Sequence, residues 1–240
     1  MAYKTTDTTT FNLDLNQVVE EAFERCGAEL RSGYDLRTAR RSLNLMLLEW
    51  ANRGINMWTI EQGTPITLVP GQIEYDYPPD TVDMLDHVIR TGSGTNQTDI
   101  NITRISESTY AMIPNKNATG RPIQVWIQRL SGATDATGNV VYPKIHIWPT
   151  PDSSQTYTFV YWRLRRLQEA GNGINGQDIP FRFLPVLVSG LAYNLAKKIP
   201  GAEVRLQMLK ADYDEQWDLA STEDREKAAV RFVPRETFLR

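Results

Sequence analysis

The sequence is poor in the side chains that most often carry chemistry. Its 240 residues include one cysteine, Cys26, and two histidines, His87 and His146. A single cysteine excludes an intrachain disulfide and a cysteine-based zinc site. No HExxH or comparable ligand spacing is present. Gly92-Ser93-Gly94 and Gly171-Asn172-Gly173 lack the lysine and Ser/Thr of a phosphate loop, and neither belongs to a complete GxGxxG. No run of about 18 apolar residues occurs, so no membrane-spanning helix is expected. The opening MAYKTTDTTTFNLDL has no apolar core of a secretion signal, so synthesis and retention in a reducing cytoplasm is expected. A formal net charge of -3 argues against a dedicated nucleic-acid binder, which is usually basic.

What is present is ordinary globular material. Hydrophobic residues make up 41% and charged residues 23%, enough for a substantial core at this length. Residues 1–12 are polar and Thr-rich and read as an N-terminal arm. Asp14 is a candidate cap for a helix reaching Cys26, with Val18, Val19, Ala22, Phe23 and Cys26 at helical spacing and Gly27 as the stop. A second helix is expected after Asp35, ending at Gly54, with Leu36, Ala39, Leu43, Leu47 and Trp50 on one face. Leu45, Met46 and Leu48 widen that face beyond one seam, which predicts neighbours on more than one side.

From about residue 58 the texture becomes short alternating runs separated by Gly and Pro turns. PITLV, TVDMLDHVIR, PIQVWIQRL, VYPKIHIWP and QTYTFVYWR read as strands. Between them SESTYAMIP reads as a short helix capped by Ser106, followed by a polar loop, NKNATGRP. Helical spacing returns after the linker AGNGINGQD, with Pro180 placed in a first turn. Leu184, Leu187, Val188, Leu191 and Leu195 form one stripe, and Leu206, Leu209, Tyr213, Trp217 and Ala220 a second. The expected fold is α+β: a helical bundle from residues 13–57 and 180–222, an inserted small antiparallel β-sandwich or barrel at 58–179, and an extended C-terminal arm at 223–240.

Chemistry finds little purchase in this layout. Both histidines fall inside strands among apolar neighbours and read as structural. Cys26 lies on the apolar side of its helix and reads as core. Asp83 and Asp86 are the nearest approach to a carboxylate pair, without any sign of a facing partner. Glu20, Glu21 and Glu24 read as a solvated helix face. Two features call for a partner instead. Arg37, Arg40, Arg41 and Arg53 form a basic edge on the second helix, either solvated or an intersubunit salt-bridge row. The tail carries Val230, Phe232, Val233, Phe238 and Leu239 among Arg225, Arg231, Arg235 and Arg240 in no regular period, as a segment that orders on docking does. Six tryptophans and ten tyrosines suit interfaces. A carbohydrate-binding module using Trp126, Trp148 and Trp162 is the competing class, and a hydrolase a third.

The stretch DLRTARRSLNLMLLEWANRGINMW, residues 35–58, resembles the N-terminal helical motif of phage head-to-tail adaptors, including the tail tubular protein A type of short-tailed phages. The likeness continues at Pro65, at Tyr75-Asp76-Tyr77-Pro78, at Pro114 and Gly120-Arg121-Pro122, in LPVLVSGLAYNLAKKIP, and at Asp224-Arg225-Glu226. The resemblance implies a structural subunit and not an enzyme, with no cofactor or metal. It implies a ring of twelve copies between the portal protein and the tail nozzle or tube, within the virion neck and assembled in the host cytoplasm. Viral DNA would pass through the lumen without sequence-specific binding, and no membrane is involved. The resemblance further implies a portal-docking arm of Arg225, Val230, Arg231, Phe232, Val233, Arg235, Phe238, Leu239 and Arg240. It adds a subunit interface at Arg37, Arg40, Arg41, Trp50 and Arg53, and a tail-facing loop at Asn115, Lys116, Asn117 and Arg121.

Overall fold

The structure, a computed structural model, describes residues 8–53, 57–130, 134, 137–171 and 174–225. In chain order its elements are helices α1 (Leu15–Cys26) and α2 (Gly33–Asn52), then strands β1 (Ile60–Gln62), β2 (Ile66–Thr67), β3 (Glu74–Asp76), β4 (Thr81–Thr91), β5 (Thr98–Asn101) and β6 (Thr103–Arg104). A short helix α3 (Glu107–Ala111) precedes β7 (Thr119–Gly120), β8 (Gln124–Gln128), β9 (Lys144–Trp148), β10 (Thr150–Pro151) and β11 (Tyr157–Arg165). Helices α4 (Leu184–Ala196) and α5 (Leu206–Glu223) close the order. The fold is an α+β mix, with helices toward both ends of the chain and the sheets between them. The chain divides into a helical unit, Met1–Met57 with Gln168–Arg240, and a β unit, Trp58–Leu167.

In the helical unit, α4 is the centre. It is buried on every side, from Leu184 and Val186 through Gly190 and Ala192 to Leu195 and Ala196, and α1, α2 and α5 all pack on it. The burial extends beyond the stripe expected from spacing, taking in Val186, Ser189, Gly190, Ala192 and Ala196, because neighbours press on more than one side. Gly190 lets neighbouring helices come close: a Cβ there would stand 2.6 Å from Met46 Sδ and 2.7 Å from Tyr213 Cε2. Each fully buried Leu, Val or Phe contributes roughly 1.5–3 kcal/mol over its exposed state.

Local chemistry sets the helix ends. Asp14 accepts the Gln17 N–H at 2.9 Å while Gln17 Oε1 accepts the Asp14 N–H at 3.1 Å, a reciprocal cap on α1. Gly27 ends α1 at φ 76°, where a side chain would be strained. Helix α2 begins earlier than its sequence suggests. Its cap is Ser32, and Asp35 is the third helical residue, accepting the Ser32 N–H at 3.1 Å. Pro180 precedes a 3-10 turn, Phe181–Phe183, and Pro185 holds the first turn of α4.

The β unit is built on the β4–β11 pair, antiparallel, with Phe159 opposite Ile89. Strands β1 and β2 add to the other side of β11, and β5 to β4. A second sheet runs β3-β9-β8-β6, and β10 pairs with β7. Met84, Ile89, Tyr157, Phe159 and Tyr161 of the first sheet share one core with Tyr75, Val125, Ile127, Ile145 and Ile147 of the second, so the sheets form a sandwich. The five strands expected from alternation are present. The pairing is not wholly antiparallel, however, because β6–β8 and β7–β10 run parallel. Residues 168–179, grouped with the strands by composition, divide differently, because Gln168 onward belongs to the helical unit. The reason is local: Ala170 is buried, its N–H donates to Asn44 Oδ1 at 2.8 Å, and its carbonyl accepts from Arg40 Nε at 2.8 Å.

Candidate assembly surfaces

The basic edge of α2 splits in two. Arg40 is tied to the Ala170 carbonyl. Arg53 lies over the Trp217 ring at 4.4 Å and the Tyr213 ring at 5.3 Å, and pairs with Glu49 at 2.6 Å. Both serve their own chain. Arg37 and Arg41 are exposed on the outer face, Arg37 Nε donating only to the Gly33 carbonyl one turn back. Trp50, expected at a subunit interface from the resemblance, is fully enclosed. Its ring packs against Trp217 at 5.3 Å and Phe183 at 5.9 Å, and Nε1–H donates to the Tyr213 hydroxyl at 2.9 Å. A side chain with no exposed surface in its own subunit cannot meet another, so Trp50 is a core residue.

The end of α5 is anchored by Asp224, which the sequence marks only as part of the motif Asp224-Arg225-Glu226 and not as an anchor. Its carboxylate is 1% exposed, accepts from Arg182 Nη2 at 2.6 Å and takes the Met57 N–H at 3.0 Å. Asp224 thereby fixes the end of α5 to the turn before α4 and to the segment after α2. Arg225 follows it, exposed. Val230, Arg231, Phe232, Val233, Arg235, Phe238, Leu239 and Arg240 lie outside the described residues.

The expected tail-facing loop is braced from below. Lys116 Nζ donates to the carbonyls of Ala111 and Ile113 at 3.2 Å and sits over the Tyr110 ring at 5.5 Å. Trp148 Nε1–H donates to the Asn115 carbonyl at 3.0 Å. Asn115 Oδ1 accepts the Asn117 N–H at 3.0 Å. Lys116 is thus turned inward, and Asn115, Asn117 and Arg121 are exposed.

A groove of about 660 Å³ opens between α1 and the start of α4. Phe11, Leu13, Phe181 and Val188 line it, with Glu20, Glu21 and Glu24 also in its wall. Phe11 and Phe181 are 77% and 79% exposed, more than a closed core would leave.

The residues weighed for catalysis are occupied structurally. Cys26 Sγ is 3.2 Å from the Ala192 carbonyl, and burial pushes its thiol pKa up, away from a reactive thiolate. His146 stacks on Trp126 at 4.4 Å with Nε2 3.1 Å from Gln128 Oε1, and burial pushes its pKa down. Burial, aided by Arg104, lowers the pKa of His87 as well. Asp83 pairs with Arg129 at 2.9 Å and Arg104 at 3.3 Å, while Asp86 is exposed. The three tryptophans proposed as a sugar platform do not share one. Trp126 packs in a three-ring cluster with Tyr110 and His146, Trp148 is tied to the loop above it, and Trp162 belongs to the other sheet. No helix among the described residues is long and apolar enough to cross a membrane.

No curated protein matches the chain. The family model of the SU10 adaptor protein matches residues 14–235, a span that takes in every helix and strand described above. The chain therefore belongs to the SU10 adaptor protein family, a phage head-to-tail adaptor family whose members serve a structural role.

Proposed function

We propose that this chain is the ring-forming adaptor subunit of the phage neck, of the tail tubular protein A type. Twelve copies would sit beneath the portal, give the tail nozzle or tube its platform, and line the passage for DNA. The observation that carries this reading is the family match over residues 14–235. The surfaces agree with it. The bundle closes around α4 and leaves Arg37 and Arg41 of α2 exposed beside apolar side chains, as an assembly surface requires.

In this reading the residues after Asp224 form the portal-docking arm. Asp224 sets the point from which the arm departs, and Val230, Phe232, Val233, Phe238 and Leu239 supply the apolar contacts. Asn115, Asn117 and Arg121 form the tail-facing tip, and Arg37 and Arg41 belong to the subunit interface. The chain's net charge of -3 suits a lumen through which DNA slides, because neutralising phosphates is what makes proteins hold DNA. The lumen is expected to be acidic or mixed in charge, and a strongly positive lumen in the assembled ring would refute that point.

The test is a chain ended after Arg225. It should keep the helical content of the full chain and lose addition to portal rings of the same virus, read by co-sedimentation. Undiminished addition would overturn the arm assignment.

A further inference from the structure

Helices α2 and α5 each turn one side to α4 and leave the opposite side uncovered by the described residues. On α2 the uncovered side carries Tyr34, Leu45 and Leu48, 65%, 60% and 44% exposed. Arg37 and Arg41 stand among them, since positions 34, 37, 41, 45 and 48 advance by three or four and stay on one face. On α5 and the turn before it, the uncovered side carries Val204, Met208 and Leu219, 92%, 61% and 60% exposed. Glu215 and Asp218 share that side by the same spacing. Arg41, Glu215 and Asp218 have no ion-pair partner among the described residues.

The two faces match in size and oppose in charge. Helix α2 has 20 residues and α5 has 18, so they run roughly 30 Å and 27 Å. The α5 sequence LQMLKADYDEQWDLASTE sets one lysine against five carboxylates. The outer face of α2 is basic through Arg37 and Arg41. Pairing like with like would set arginine against arginine or carboxylate against carboxylate, so neither face is suited to meet its own copy across a two-fold axis. Pairing unlike faces gives a head-to-tail contact, which repeats into a closed ring or a filament.

We propose that the outer face of α2 in one copy docks on the outer face of α5 in the next. With the two helices antiparallel, Leu45 and Leu48 pack against Met208, Arg41 faces Glu215, and Arg37 faces Asp218 beside Leu219, because 48, 41 and 37 step along α2 as 208, 215 and 219 step along α5. This inference rests on the ring reading above and supplies its two missing halves.

Two double variants of the full chain test it: Arg37→Glu with Arg41→Glu, and Glu215→Lys with Asp218→Lys. Assembly is read by mass, for the chain alone at high concentration and on portal rings of the same virus. Each variant by itself should assemble about tenfold or more weakly than the wild type, because each sets like charges face to face. Mixed in equal amounts, the two should recover assembly in complexes that contain both in equal number. Recovery also demonstrates that both variants fold, because all four side chains are exposed and a misfolded partner could not complement. If each variant assembles as well as the wild type, the α2–α5 contact is wrong and the ring reading survives. Failure of two folded variants to complement would also overturn the contact. A wild-type chain that assembles under neither condition would overturn the ring reading itself.

Discussion

Replacing Asp224 with alanine tests how the helical unit fixes the end of α5. The carboxylate is 1% exposed and holds two groups, Arg182 Nη2 at 2.6 Å and the Met57 N–H at 3.0 Å. Breaking a fully buried ion pair costs about 3–5 kcal/mol. Here the Arg182 side chain is 39% exposed and can recover water, so the loss falls to the range of charge-assisted hydrogen bonds, about 1.5–3 kcal/mol. Asp224→Asn keeps one oxygen for the Met57 N–H but turns its NH2 toward the Arg182 donor, so it loses the Arg182 bond with the charge and should cost nearly as much as alanine. Urea unfolding followed at 222 nm by circular dichroism reads the helical unit. With a slope of about 2 kcal/mol per molar for a unit this size, the alanine variant should lower the midpoint by about 1 M. A midpoint within about 0.2 M of the wild type would show that Asp224 does not anchor α5.

Other expectations follow from the same packing. Gly190→Val places a side chain against Met46 and Tyr213 where even a Cβ is too close, and should destabilise the helical unit by about 1–3 kcal/mol or more; an unchanged melting temperature would refute the close approach. Tyr213→Phe removes the acceptor of the buried Trp50 Nε1–H and should cost about 1–3 kcal/mol in denaturant unfolding, with no loss meaning that Trp50 finds another acceptor. Tyr77 has its phenol pushed up to about 12, by burial first and by Asp83 next. Because the folded value lies above the ordinary tyrosine value of about 10, its contribution is fully present below pH about 10 and is lost as pH rises to about 12. Ultraviolet titration should show a late-ionising tyrosine that disappears in Tyr77→Phe, and an unchanged titration curve in that variant would refute the assignment.

Much of this fold is legible in the sequence where a signal is local. Asp14, Gly27 and Ser106 mark helix ends because their hydrogen bonds reach only a few residues, and the alternation of Tyr157, Phe159 and Tyr161 marks β11 because one face is buried. Strands β2, β6, β7 and β10 have two residues each, too few to show a period, and they exist only through pairing with longer neighbours. Ser32 was hidden because Gly33 and Tyr34 follow it and Asp35 looks like the cap. The surfaces were the least legible. Spacing puts Arg40 and Trp50 on α2 and Arg53 at its end, but it cannot show that the Ala170 carbonyl and the α5 aromatics claim them. The anchoring role of Asp224 is not legible because its partners, Arg182 and Met57, stand 42 and 167 positions away.

The most direct test of the account is the mass of the purified chain, alone and after mixing with portal rings of the same virus. The account predicts either a closed ring of about twelve copies or a monomer that adds to each portal ring in a fixed ratio of about twelve to one. A chain that stays monomeric and leaves the portal rings unchanged would contradict it.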